Sequence, residues 1–184
     1  SLLTFSEISD LATDRITPSI SPKSRLMLSE KYTNEEFASF DIVLCSRSNR
    51  TRQTAELILK LANKDLEIRK TNNLSEILFD PKILTNQEEF AKHGLGVIRI
   101  SLFHGMKSGV GSESLGEVLH RAKKLKSELL KLPYDNILCI THSFYMRVLR
   151  LFFLEKLTRS RDIRKSKLMN TIDHQYLEGF EVYL

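Results

Sequence analysis

Two short apolar runs, Asp41-Ile-Val-Leu-Cys45 and Asn136-Ile-Leu-Cys-Ile-Thr141, are each followed at once by a helical pattern, and no other feature of the chain constrains its fold as much. Short aliphatic runs bounded by polar residues read as strands buried on both faces. After the first run, Ala55, Leu57, Ile58, Leu61 and Ala62 fall at helical spacing between Thr51 and Ala62; after the second, Phe144, Val148, Leu149, Phe152 and Phe153 do the same. Strands that lead directly into helices belong to parallel sheets with crossover helices. The expected fold class is therefore α/β, a single three-layer domain over 1–184 with a mostly parallel central sheet flanked by helices. At 184 residues and 41% hydrophobic content, a chain can bury roughly 70% of its unfolded surface in one core.

The periodicity predicts a third long helix from Glu113 to Leu132, with Leu115, Val118, Leu119, Ala122, Leu125 and Leu129 on one face and Lys123, Lys124, Lys126 and Lys131 on a solvated one. A further helix is expected over Asn34 to Ser39, a first strand at Leu2-Leu3-Thr4-Phe5, and an edge strand at Phe180-Glu-Val-Tyr-Leu184. From 79 to 112 the pattern is interrupted by Pro81, Gly94, Gly96, Gly105, Gly109 and Gly111, although Phe90 to Phe103 could hold a helix. This stretch is expected to be an insertion covering the site.

The net charge of +5 favours anionic ligands. Charge alone does not choose between phosphorylated small molecules or phosphoproteins and nucleic acid; for nucleic acid, the less expected partner, the basic stretch Arg159 to Lys167 is the candidate surface. Cys45 and Cys139 each sit in an apolar run and read as buried, reduced thiols, so the expected location is cytoplasmic. No apolar run is long enough for a membrane helix, and the start lacks the pattern of a signal peptide. Neither cysteine is followed by an arginine at the Cys-x5-Arg spacing, and the histidines show no ligand-like pairing. Neither metal nor other cofactor is implied.

Three segments could carry chemistry. In Ser46-Arg-Ser-Asn-Arg-Thr-Arg-Gln-Thr-Ala55, Arg50 and Arg52 stand where a strand opens into a helix, a place at which backbone amides and guanidinium groups converge on an anion. Arginine there is unfavourable for the helix dipole, which argues for another use. His142 and Ser143 follow the second apolar strand, at the carboxyl end of a parallel sheet where such folds bind ligands. Glu76, the only acid in Asn73-Leu-Ser-Glu-Ile-Leu-Phe79, could act as a general acid with a raised pKa.

Taken in order, Ser46-x-x-x-Arg50-x-x-Gln53-Thr54-Ala55, Leu74-x-Glu76, Glu113-Ser114-Leu115 with Arg121, and Thr141-His142-Ser143 with Arg147 resemble the histidine phosphatase superfamily, also called phosphoglycerate-mutase-like. The likeness spans about Asp41 to Arg150. It implies Arg50 as a phosphate-binding arginine, Glu76 as a proton donor, His142 as the second histidine of the site with Ser143 beside it, and a structural part for Arg147. Arg47, Thr141 and Ser143 depart from the family's proline, serine and glycine. The family's first strand ends in Arg-His-Gly, whose histidine is transiently phosphorylated. Aligned by strand and glutamate, Thr4, Phe5 and Ser6 take those places here, and phenylalanine cannot be a nucleophile. His104-Gly105 imitates the motif without its arginine. The resemblance thus implies action on, or binding of, phosphate monoesters: a phosphohydrolase if a nucleophile is present, otherwise a catalytically inactive relative that binds a phosphorylated ligand or protein.

Overall fold

The computed structural model describes residues 4–13, 19–31, 37, 39–165 and 179–184. Its centre is a three-stranded parallel sheet of β1 (Ile42–Cys45), β2 (Ile68–Lys70) and β3 (Ile137–Ile140), in the order β2-β1-β3. Strands β1 and β3 are the two apolar runs; β2 is too short and too polar, Ile-Arg-Lys, to announce itself by pattern. Alternate side chains of a strand face opposite ways, and β1 divides accordingly. Ile42 and Leu44 join the main core, while Val43 packs with Ala55 and Leu59 on the other side. Both faces are covered, so all four residues are fully buried. A sheet between two helical layers is the three-layer domain that the sequence predicts.

Helix α3 (Asn49–Leu61) covers one face. The other is covered by α7 (Leu115–Leu129) and α8 (Ser143–Phe153). Helix α7 buries Leu115, Val118, Leu119, Ala122 and Leu125 and leaves Lys123, Lys124 and Lys126 exposed. Each fully buried leucine or valine contributes about 1.5–3 kcal/mol, so this one face anchors the layer. Ser114 and Glu117 close its start in a reciprocal capping box.

Two expectations fail. Phe5 does not end a strand: Phe5–Ala12 is a helix, α1, opened by Thr4. Thr4 Oγ1 accepts the Glu7 N–H at 3.2 Å and the Glu7 carboxylate accepts the Thr4 N–H at 2.7 Å, a second capping box whose Thr-x-x-Glu signature outweighs the short apolar run. The Phe5 ring packs 5.5 Å from Phe90. Likewise Phe180–Leu184 is not a strand, although Phe180 touches the main core. Residues 2–3 of the expected first strand, most of the helix expected at 34–39, and 166–167 of the basic stretch lie outside the described residues. In the part of that stretch that is described, Arg159 and Arg161 both face Asp162, at 2.7 and 3.8 Å.

Residues 79–112 hold three helices: α4 (Pro81–Leu84), α5 (Gln87–His93) and α6 (Leu95–Ser108). The helix expected across 90–103 is broken at Gly94, whose φ of +57° suits glycine alone. The ends of the excursion are stitched together, Asp80 N–H to Gly111 O at 2.7 Å and Glu113 N–H to Leu78 O at 2.9 Å, and Ile98, Leu102, Phe103 and Met106 enter the main core. His104 points out from α6. Its neighbour Gly105 has a packing role, since a Cβ there would stand 2.8 Å from the Val110 carbonyl oxygen. Helix α2 (Pro22–Lys31) and the short α9 (Ser160–Lys165) complete the described elements. Among the described residues no helix is long and apolar enough to cross a membrane.

Candidate functional site

Because β1 and β3 are parallel and in register, Cys45 opposite Ile140, the residues that leave them emerge side by side. Ser46 follows one strand and Thr141-His142 the other. The Ser46 hydroxyl lies 2.8 Å from His142 Nε2. Thr51, one turn into α3, brings its own hydroxyl to 2.8 Å from that of Ser46. Ser48 caps α3 by accepting the Thr51 N–H at 3.3 Å and gives its own N–H to Ser46 Oγ at 3.2 Å. A string of hydroxyls therefore runs from the start of α3 to the histidine ring.

Three arginines stand near this end of the sheet. Arg52 is paired with Glu56 on its own helix. Arg121 reaches from α7, with its guanidinium 3.0 Å from the Glu113 carboxylate and 4.2 Å from the centre of the Tyr145 ring, and it donates to the Ser75 carbonyl. Arg50, partly buried in the first turn of α3, has no ion-pair partner among the described residues. Burial first, and then the positive charges of Arg50 and Arg121, pull the His142 pKa down from 6.5 to about 4. At neutral pH the ring is uncharged, with one N–H to give.

Glu76 takes a different place from a free acid. Its carboxylate accepts the N–H groups of Ile77 at 3.0 Å, Tyr145 at 2.9 Å and Phe144 at 3.3 Å. Phe144 and Tyr145 lie in the first turn of α8, whose cap residue His142 offers no side-chain bond of its own. The carboxylate thus closes the helix in place of a cap residue, and negative charge is favoured at a helix start. Burial pushes its pKa up, while the three N–H groups and the Arg121 charge pull it back. Thr141 Oγ1 donates to the Leu74 carbonyl at 2.7 Å, fastening the segment that carries Glu76 to the end of β3.

Arg50, Glu76 and His142 are thereby brought to one end of the sheet. Ser143 stands at the first turn of α8 with its side chain exposed. Arg147 is buried in α8 beside Ile77 and Phe144. Burial pushes the Cys45 thiol up and the Cys139 thiol up to about 12, so neither supplies a thiolate. Among the described residues no group of three His, Cys, Asp or Glu side chains could hold a metal ion.

The sequence pattern did not assign parts to Ser46, Thr51 or Arg121. Ser46 could have been found from its register, one residue beyond Cys45 and facing the turn into His142. Arg121 could not, because its reach across to Ser75 depends on the packing of α7.

The family model described as histidine phosphatase superfamily (branch 1) matches residues 26–171. No curated protein matches the chain. Solved structures of similar fold include an alpha-ribazole phosphatase from Shigella flexneri, with 16% identity and a TM-score of 0.52 over 80% of this chain and 71% of that one. A mycobacterial glucosyl-3-phosphoglycerate phosphatase has 16% identity and a TM-score of 0.51 over 76% and 71% of the two chains. A phosphoserine phosphatase from Entamoeba histolytica, in complex with 3-phosphoglyceric acid, has 16% identity and a TM-score of 0.51 over 80% and 73%. The chain spans 62% of the length of a matched Escherichia coli chain.

Proposed function

The chain belongs to the histidine phosphatase superfamily, and from that premise we propose that it acts on or binds phosphate monoesters at the carboxyl ends of β1 and β3. The observation that carries this reading is the meeting of Arg50, which has no carboxylate partner among the described residues, and a neutral histidine, His142, beside the N-terminus of α3. A phosphate dianion there would take charge-assisted hydrogen bonds from the guanidinium, the imidazole N–H and the helix amides. Its oxygens would be held as a transferred phosphoryl group must be held. The solved structures of like fold named above as phosphatases agree with a phosphate-ester ligand.

Whether the site also breaks the ester bond turns on a nucleophile. Among the described residues His93, His104 and His120 are exposed on helices α5, α6 and α7, and Phe5 is part of α1. His174 lies outside the described residues. In the second reading the chain is a relative that binds a phosphorylated small molecule or protein without hydrolysing it. In the first reading Glu76 would protonate the leaving oxygen, and to do so it would have to exchange a helix amide for the substrate.

The deciding experiment is hydrolysis of an aryl phosphate between mildly acidic and neutral pH, run beside a His142→Ala variant purified identically. Turnover lost in the variant supports the enzyme; none in either, with inorganic phosphate still shifting the His142 resonances, supports the binding protein. Failure of phosphate to perturb His142 or to bind at all removes both.

A further inference from the structure

The geometry points to Ser46 as a positioning residue: we propose that its hydroxyl donates to His142 Nε2 and fixes the ring as the Nδ1–H tautomer, so that an N–H faces the phosphate. The inference rests on the phosphate site proposed above only in its last clause; the first stands on the hydroxyl string alone.

Hydrogen accounting carries it. The Thr51 hydroxyl has one hydrogen, and its nearest acceptor is the Ser46 hydroxyl oxygen at 2.8 Å, closer than the Ser46 and Ser48 carbonyl oxygens at 3.1 and 3.0 Å. The Ser46 hydroxyl already accepts the Ser48 N–H at 3.2 Å. With the Thr51 O–H and the Ser48 N–H on its two lone pairs, its one hydrogen has the imidazole nitrogen at 2.8 Å and Ser48 Oγ at 3.2 Å as acceptors. A ring nitrogen is the stronger base and the better acceptor. A neutral imidazole carries a single N–H, and once Nε2 accepts, Nδ1 must bear it. Nδ1 has no hydrogen-bond partner among the described residues, which leaves it to meet a ligand.

Ser46 is not placed to attack. Its residue is 1% exposed and its oxygen has four polar neighbours, two from Ser48 and one each from Thr51 and His142, the surroundings of a group that holds a neighbour still. The same saturation makes the interaction specific, because a hydrogen on Nε2 would be a third donor to an oxygen whose two lone pairs already take the Thr51 O–H and the Ser48 N–H.

The test is long-range proton–nitrogen NMR of the histidine rings in the full chain labelled with nitrogen-15, using His142→Gln to assign His142. The wild type is expected to show the Nδ1–H pattern. Ser46→Ala should move His142 toward the Nε2–H form that free imidazole prefers, and Ser46→Thr, which keeps the hydroxyl, should restore the wild-type pattern. Circular dichroism checks that the variants fold. A wild-type Nε2–H pattern, or a pattern that Ser46→Ala leaves untouched, overturns the assignment. Titration with inorganic phosphate tests the last clause: affinity should fall about tenfold in Ser46→Ala, and unchanged affinity with an altered tautomer overturns that clause. Phosphate that fails to bind the wild type at all sinks the proposed function, while the tautomer result still decides the part of Ser46.

Discussion

Helix α3 closes its own start with Ser48, whereas α8, built on the neighbouring strand, is closed by a carboxylate brought from Glu76. Both junctions have the same plan, a parallel strand feeding a helix N-terminus. A helix start attracts negative charge, and in α8 that charge is already supplied. In α3 the cap is a neutral hydroxyl, and the nearby Arg50 has no carboxylate among the described residues. Two like junctions therefore differ in the charge already supplied at the helix start, and the phosphate proposed above would go to α3 rather than to α8.

The largest effect expected from this contrast is on stability. Glu76→Ala strands the Phe144 and Tyr145 amides in the interior and should cost about 2–4 kcal/mol by urea denaturation. Glu76→Gln, which keeps an acceptor, should cost less. Next comes Arg50→Ala, which should weaken inorganic phosphate binding about tenfold or more while moving stability by no more than about 0.5 kcal/mol. Unchanged affinity would place the anion elsewhere and break the comparison. Ser48→Ala removes the α3 cap and should cost about 1 kcal/mol; if it proves more harmful than Glu76→Ala, the roles of the two starts are reversed.

The smallest effect separates the two junctions by pH. His142 has its pKa lowered from 6.5 to about 4, so between those values the unfolded chain holds a proton that the native one does not, and stability rises with pH. Glu76 has a raised pKa, so above 4.5 the native chain holds the extra proton and stability falls as pH rises toward the native value. His142→Gln should remove the rise and Glu76→Gln the fall, as read from urea midpoints from pH 4 to 7. Parallel profiles for wild type and both variants would contradict the opposed shifts.

Much of this architecture was legible in the chain. Both fully apolar strands, the helices that follow them and the buried face of α7 were readable because burial on two faces, or on one helical stripe, leaves a period in the sequence. Strand β2 left none, since three residues paired to a central strand need little hydrophobic pattern. At the start, the apolar run Leu2 to Phe5 reads as a strand, but the capping signature Thr4-x-x-Glu7 opens a helix at Phe5. The presence of Arg50, Glu76 and His142 at one end of the sheet followed from motif order. That Glu76 would spend its oxygens on the amides of α8 did not, because the pairing joins residues far apart in sequence through packing that no local pattern encodes.

That long-distance closure has a bearing on how the molecule comes together. The Glu76 carboxylate meets its amides across 68 and 69 positions of chain, and β1 pairs with a strand that begins at Ile137. The first turn of α8 cannot be completed locally; it must wait until the stretch after β2 has docked. Contacts of such sequence separation bear the entropy of closing a long loop and slow folding. Amide exchange at Phe144 and Tyr145 should therefore report global opening rather than fraying of the helix end, making this turn a sensor of whether the whole domain has assembled.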